Sequence, residues 1–158
     1  FSPGLSPGTL NAGPTIWQSG GTYLWEINDA TGTEGDDPGY DWLNITGGLN
    51  ITATSESKFN LDLSTMGTAA DNFDNSQDYS WVIATASGGI TGFSADKFDV
   101  DSTLFTNSLG VGNFSISQNV NDLSMNFNAI PEPSTYALFG IGLLGLIVGW
   151  MRKQRRKL

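Results

Sequence analysis

The chain has 158 residues, with 16 acids against 7 bases, a net charge of −9, no histidine and no cysteine; this length suits one domain plus a tail. Missing cysteine excludes disulfides, thiol nucleophiles and cysteine-bound metals, and missing histidine excludes the usual general base near neutral pH, with Ser-His-Asp and Cys-His machinery. The charge is also split: residues 1–130 hold 15 acids and 2 bases (Lys58 and Lys97), while residues 131–158 hold Glu132 and 5 bases, so the larger part repels phosphates and no nucleic-acid partner is expected.

The first residues contain two Ser-Pro-Gly units, Ser2-Pro3-Gly4 and Ser6-Pro7-Gly8, in which proline fixes φ and glycine takes the positive-φ place of a tight turn. Strand follows, as Tyr23, Trp25 and Ile27 alternate with Leu24, Glu26 and Asn28, a period of two. A polar loop over 29–41 carries five acids. Leu43-Asn44-Ile45-Thr46 and its echo Leu49-Asn50-Ile51-Thr52 flank Gly47-Gly48, the pattern of a two-residue hairpin. Alternation returns at Phe59, Leu61 and Leu63, at Tyr79, Trp81 and Ile83, at Phe98 and Val100, at Phe114 and Ile116, and at Leu123, Met125 and Phe127. Each run is apolar on one face and Asn, Ser, Thr or Asp on the other, which predicts sheets with one buried and one wet face.

Residues 1–129 are therefore expected to form an acidic all-β domain, either a β-solenoid or an antiparallel β-sandwich. The stretches from Ser2 to Leu10 and from Gly21 to Ile27 resemble the strand-repeat motif of autotransporter passenger domains. That resemblance implies a right-handed parallel β-helix over about residues 1–55. A solenoid needs at least about three coils, and loss of an N-terminal leader or of further coils would explain a chain that opens at Phe1.

A domain this acidic suits solvation, cation binding or contact with a basic partner. The loop acids Asp36, Asp37 and Asp41, with Asp29 and Glu34 beside them and Asp71, Asp74 and Asp78 in a second loop, offer the hard oxygens that Ca²⁺ takes. Neither loop has the spacing of the EF-hand calcium loop, and Asp in a solvated turn also caps its own backbone. Paired carboxylates about 5–10 Å apart would hydrolyse a glycosidic bond, with Trp17, Tyr40 and Trp42 as exposed stacking platforms. No spacing selects one pair, and the expectation is a chain that is not an enzyme. The triplets starting at Asn44, Asn50 and Asn113 fit the N-glycosylation pattern but follow from an Asn/Thr-rich composition.

The C-terminus differs from everything before it. Ser134 to Met151 is uncharged over 18 residues, and as a helix it would extend about 27 Å, close to a bilayer core. A transmembrane α-helix is expected over 135–151, after a junction at 130–134 that contains Pro131, Glu132 and Pro133. The tail 152–158 carries Arg152, Lys153, Arg155, Arg156 and Lys157, which stay cytoplasmic by the positive-inside rule. Gly145 and Gly149, extended by Gly140 and Gly142, have the spacing of a close helix-packing surface.

Pro131-Glu132-Pro133-Ser134-Thr135, the Gly-punctuated apolar run and the Arg-rich end together resemble the PEP-CTERM sorting domain of Gram-negative bacteria. The resemblance implies export, a stop in the inner membrane and recognition by an exosortase, a membrane cysteine protease of bacteria that make exopolysaccharide. It places Pro131, Glu132 and Pro133 in the recognition motif. The expected function is that of a non-enzymatic surface or extracellular-matrix protein, its wet faces touching polysaccharide or neighbouring copies. An alternative is an uncleaved single-pass subunit of a larger inner-membrane complex, held through its glycine-rich helix. A third reading is a carboxylate-dependent glycan hydrolase.

Overall fold

The computed structural model describes residues 1–3 and 7–130. Among these there is no α-helix, and none long and apolar enough to cross a membrane; the span expected over 135–151 lies outside the described residues. The β-domain is all-β, as the period-two runs require. Its strands are β1 (Thr9–Ala12), β2 (Thr15–Trp17), β3 (Thr22–Glu26), β4 (Thr33–Glu34), β5 (Gly39–Tyr40), β6 (Trp42–Ile45), β7 (Leu49–Ile51), β8 (Phe59–Ser64), β9 (Tyr79–Ala86), β10 (Ile90–Thr91), β11 (Phe98–Leu104), β12 (Asn113–Asn119) and β13 (Asp122–Asn128).

The chain winds through three coils, each contributing one strand to each of three parallel sheets. The columns are β1, β6 and β9; β2, β7 and β10; and β3, β8 and β11. Register stacks Leu10 on Leu43 on Ala84, Thr15 on Leu49 on Ile90, and Tyr23 on Leu61 on Val100. This is the solenoid arrangement rather than the sandwich. After the third coil, β12 and β13 form an antiparallel hairpin, and β13 adds to β9, giving a five-stranded sheet in the order β1-β6-β9-β13-β12.

The two-residue hairpin expected at Gly47-Gly48 is a coil corner instead. Both edges of β6 are already taken by β1 and β9, so no ladder position is left for β7, which pairs in the next sheet. Backbone bonds carry the stacking through the corner, from Thr46 N to Ala12 O, Gly88 N to Gly47 O and Leu49 N to Gly89 O. Gly88 is glycine for contact reasons: a Cβ there would come within 2.7 Å of the Gly47 carbonyl carbon and the Gly48 nitrogen.

The alternating apolar residues meet inside the coils. Tyr23, Trp25, Ile27, Leu61, Leu63, Ile83, Leu123, Met125 and Phe127 are fully buried. Each such side chain contributes about 1.5–3 kcal/mol relative to an exposed one. Aromatic rings order the interior in two clusters. Trp17 lies flat on Phe59, with centroids 4.5 Å apart and planes within 3°, while Phe114 and Phe127 of the closing hairpin pack at steep angles with Phe73 and Phe105.

Candidate functional site

With the apolar half of each strand turned inward, the outer face of the five-stranded sheet is left to polar side chains, which bond across the strands. Asn44 Nδ2 donates to Asn11 Oδ1 at 2.8 Å, and Thr85 Oγ1 donates to Asp122 Oδ1 at 2.8 Å. Asn126 Nδ2 donates to Ser117 Oγ at 2.9 Å, and Asn128 Nδ2 to Ser115 Oγ at 3.0 Å. Trp42 is half-buried on this face, its Nε1 donating to Thr85 Oγ1 at 3.2 Å. The result is a wall mainly of amides and hydroxyls, with the Asp122 carboxylate, Val82 and one indole among them, a surface that offers both donors and acceptors.

The loop that carries β4 and β5 lies over part of the wall, from β1, where Thr9 Oγ1 donates to Gly35 O at 3.3 Å, to within electrostatic reach of Asp122 on β13. Here the structure brings two carboxyl groups into electrostatic reach. Burial pushes the Glu34 carboxyl above its ordinary range, and the Asp122 charge adds to the shift. Burial, followed by the Glu34 charge, raises the Tyr40 phenol. Asp122 was not among the residues singled out by sequence, because it stands far from both acidic loops and reaches this place only through the closing hairpin.

The acids proposed for calcium are not gathered. Among the described residues no three acidic side chains are placed to share a cation. Asp36 is exposed, and Asp37 Oδ1 accepts from Asn28 Nδ2 at 2.7 Å. Asp41 turns inward and is fully buried, its Oδ1 accepting from Gly8 N at 2.8 Å and its Oδ2 from Glu26 N at 3.0 Å. Desolvation lifts its pKa to about 7 against the pull of these two donors. The extended alternation supplies the signal for this inward turn: Asp41, Leu43 and Ile45 form one period-two series.

The remaining loop acids act on their own surroundings. Asp29 accepts from Asn72 Nδ2 and Thr31 N, and the Asn72 bond holds its pKa below the ordinary range. Asp74 is lowered in the same way by the amide of Ser76. Asp78 Oδ1 accepts from Ala129 N at 2.8 Å. Of the aromatics expected as exposed platforms, Trp17 is core, Tyr40 is half-buried beside Trp25, and Trp42 alone lies on the outer wall. A separate groove of about 270 Å³ crosses the corner glycines and is lined by Pro14, Ile16, Leu49, Asn50 and Thr91.

Pro131, Glu132 and Pro133, the basic residues 152–157 and the four glycines of the apolar run lie outside the described residues. Residues 129–153 match the PEP-CTERM protein-sorting motif. No curated protein and no solved structure matches the chain. The motif marks an exported protein that is anchored or processed at the membrane. It begins directly after Asn128, the last residue of β13.

Proposed function

We propose that this chain is a non-enzymatic surface or extracellular-matrix protein, delivered through its C-terminal signal by an exosortase and bound to polysaccharide through the outer wall of the five-stranded sheet. The observation that carries the reading is the sorting motif at 129–153, which follows the last strand without a linker. For the wall, the support is chemical. Neutral amides and hydroxyls exchange hydrogen bonds with sugar hydroxyls, and Trp42 supplies an apolar platform for a ring face.

Intact mass of the native protein, taken separately from membrane and released fractions, tests the delivery. A released species ending between Pro131 and Ser134 is expected, and Glu132→Ala should leave the uncut chain in the membrane. A membrane-bound species retaining Leu158 as the sole product would refute processing. Affinity electrophoresis in polysaccharide from the producing cells tests the wall. Trp42→Ala should remove the retardation, and unchanged mobility would refute this face.

A further inference from the structure

Open sheet edges invite pairing with another chain, and folded proteins usually guard them with short strands, charges, bulges or a covering segment. Most edges of this solenoid are guarded. β1 has four residues and lies under the β4–β5 loop, β2 has three, and β10 has two. The β3 edge carries Phe1, whose N donates to Thr22 O while its O accepts from Leu24 N. β11 holds Asp99 and Asp101, with a register shift after Asp101.

β12 differs from all of these. It is seven residues long, matches β13 at every position without a register shift, and ends the five-stranded sheet. Asn113-Phe114-Ser115-Ile116-Ser117-Gln118-Asn119 holds no charge and no proline. Its outer edge makes no backbone bond to any other described residue. The domain around it is strongly acidic, so two copies repel one another over much of their surface, whereas this strand brings no like charges together.

We infer that β12 is a self-association seam, pairing antiparallel with β12 of a second copy about a two-fold axis at Ile116. The strand is complementary to itself in that register. Ser115 faces Ser117 of the second copy, Phe114 faces Gln118, and Asn113 faces Asn119, with Phe114 and Ile116 kept on the core side in both copies. The most exposed apolar residue described, Val120, and the exposed Val111 stand at opposite ends of β12. Antiparallel pairing brings Val120 of one copy beside Val111 of the other at both ends of the seam. The two polar walls then run on as one sheet. The inference does not depend on what the wall binds.

Sedimentation velocity of the full chain in a neutral detergent, at physiological ionic strength, tests it. The unmodified chain should be dimeric, and dissociation should increase as salt is lowered and the acidic domains repel more strongly. Ser115→Lys with Ser117→Lys opposes like charges twice across the seam and should weaken the dimer roughly tenfold. Ser115→Lys with Ser117→Glu pairs opposite charges in this register and should restore it. A monomeric unmodified chain overturns the inference, and so does a dimer that both double variants leave unchanged. Amide exchange provides a test without variants: protection of Asn113–Asn119 should rise with protein concentration, and concentration-independent exchange there would equally refute the seam.

Discussion

Replacing Asp41 by asparagine separates what its shape contributes from what its charge costs. The carboxylate accepts the Gly8 and Glu26 amides, and its own carbonyl accepts Trp25 Nε1 at 2.9 Å. It thereby ties the approach to β1, the end of β3 and the start of β6 together. An asparagine keeps the shape but turns an N–H₂ toward one of the two amides, leaving a buried donor unpaired at about 1–3 kcal/mol. Charge acts in the other direction. The pKa rises from 3.8 to about 7 on folding, so the folded chain holds the proton more tightly than the unfolded chain. Stability from this group is full below about pH 4 and is lost as pH rises toward 7. At about 1.4 kcal/mol per pH unit the loss is at most about 4 kcal/mol. Urea unfolding at pH 5 and pH 8 should therefore show Asp41→Asn clearly less stable at pH 5 and close to the unmodified protein, or above it, at pH 8. A stability gap equal at the two pH values would refute the reasoning.

Trp17→Phe should cost less than about 1.5 kcal/mol, because Trp17 Nε1 is buried with no hydrogen-bond partner among the described residues and a phenyl ring keeps the stack on Phe59; Trp17→Ala should cost about 3–5 kcal/mol, both read by urea midpoints. Gly88→Ala forces a methyl group against the Gly47–Gly48 backbone and should cost about 1–3 kcal/mol, with thermal unfolding as the check and an unchanged midpoint as the contrary result. Asn107 clamps the third coil to the second, its Oδ1 accepting from Ala70 N and its Nδ2 donating to Ala70 O. Asn107→Ala should cost about 1–3 kcal/mol and speed exchange of the Ala70 amide; unaltered exchange there would count against the clamp.

The buried face of each strand was readable because alternation is a local property. Tyr23, Trp25 and Ile27, and later Leu123, Met125 and Phe127, face inward as the pattern requires. Pairing was not readable, for a reason visible in the register. Leu43 stacks on Leu10, 33 positions earlier, but Ala84 stacks on Leu43 across 41. Loops of unequal length between coils erase the fixed period that would announce a solenoid. The same absence of long-range information made Gly47-Gly48 look like a hairpin turn, since a corner and a hairpin use the same residues and differ only in what already occupies the neighbouring edges. The Glu34–Asp122 pair was invisible on the same grounds. Asp41 is a different case: its place in the series Asp41, Leu43, Ile45 was local and legible, but a carboxylate in an acidic loop reads first as a solvated group.

The position of the sorting motif makes physical sense against this fold. The buried apolar set closes among the described residues, from Trp17 to Phe127. The hairpin carrying Ile116, Met125 and Phe127 seals the last coil before the motif begins. Cleavage beyond Ile130 would thus remove no residue of that core. The junction is also short. From Asn128 to Ser134 the chain reaches at most about 20 Å, and Asp78 holds the first of these residues, Ala129, against the start of β9. On the proposed delivery, an uncut chain would therefore keep its β-domain close to the bilayer. Severing the junction, as the proposed delivery requires, would leave that core intact.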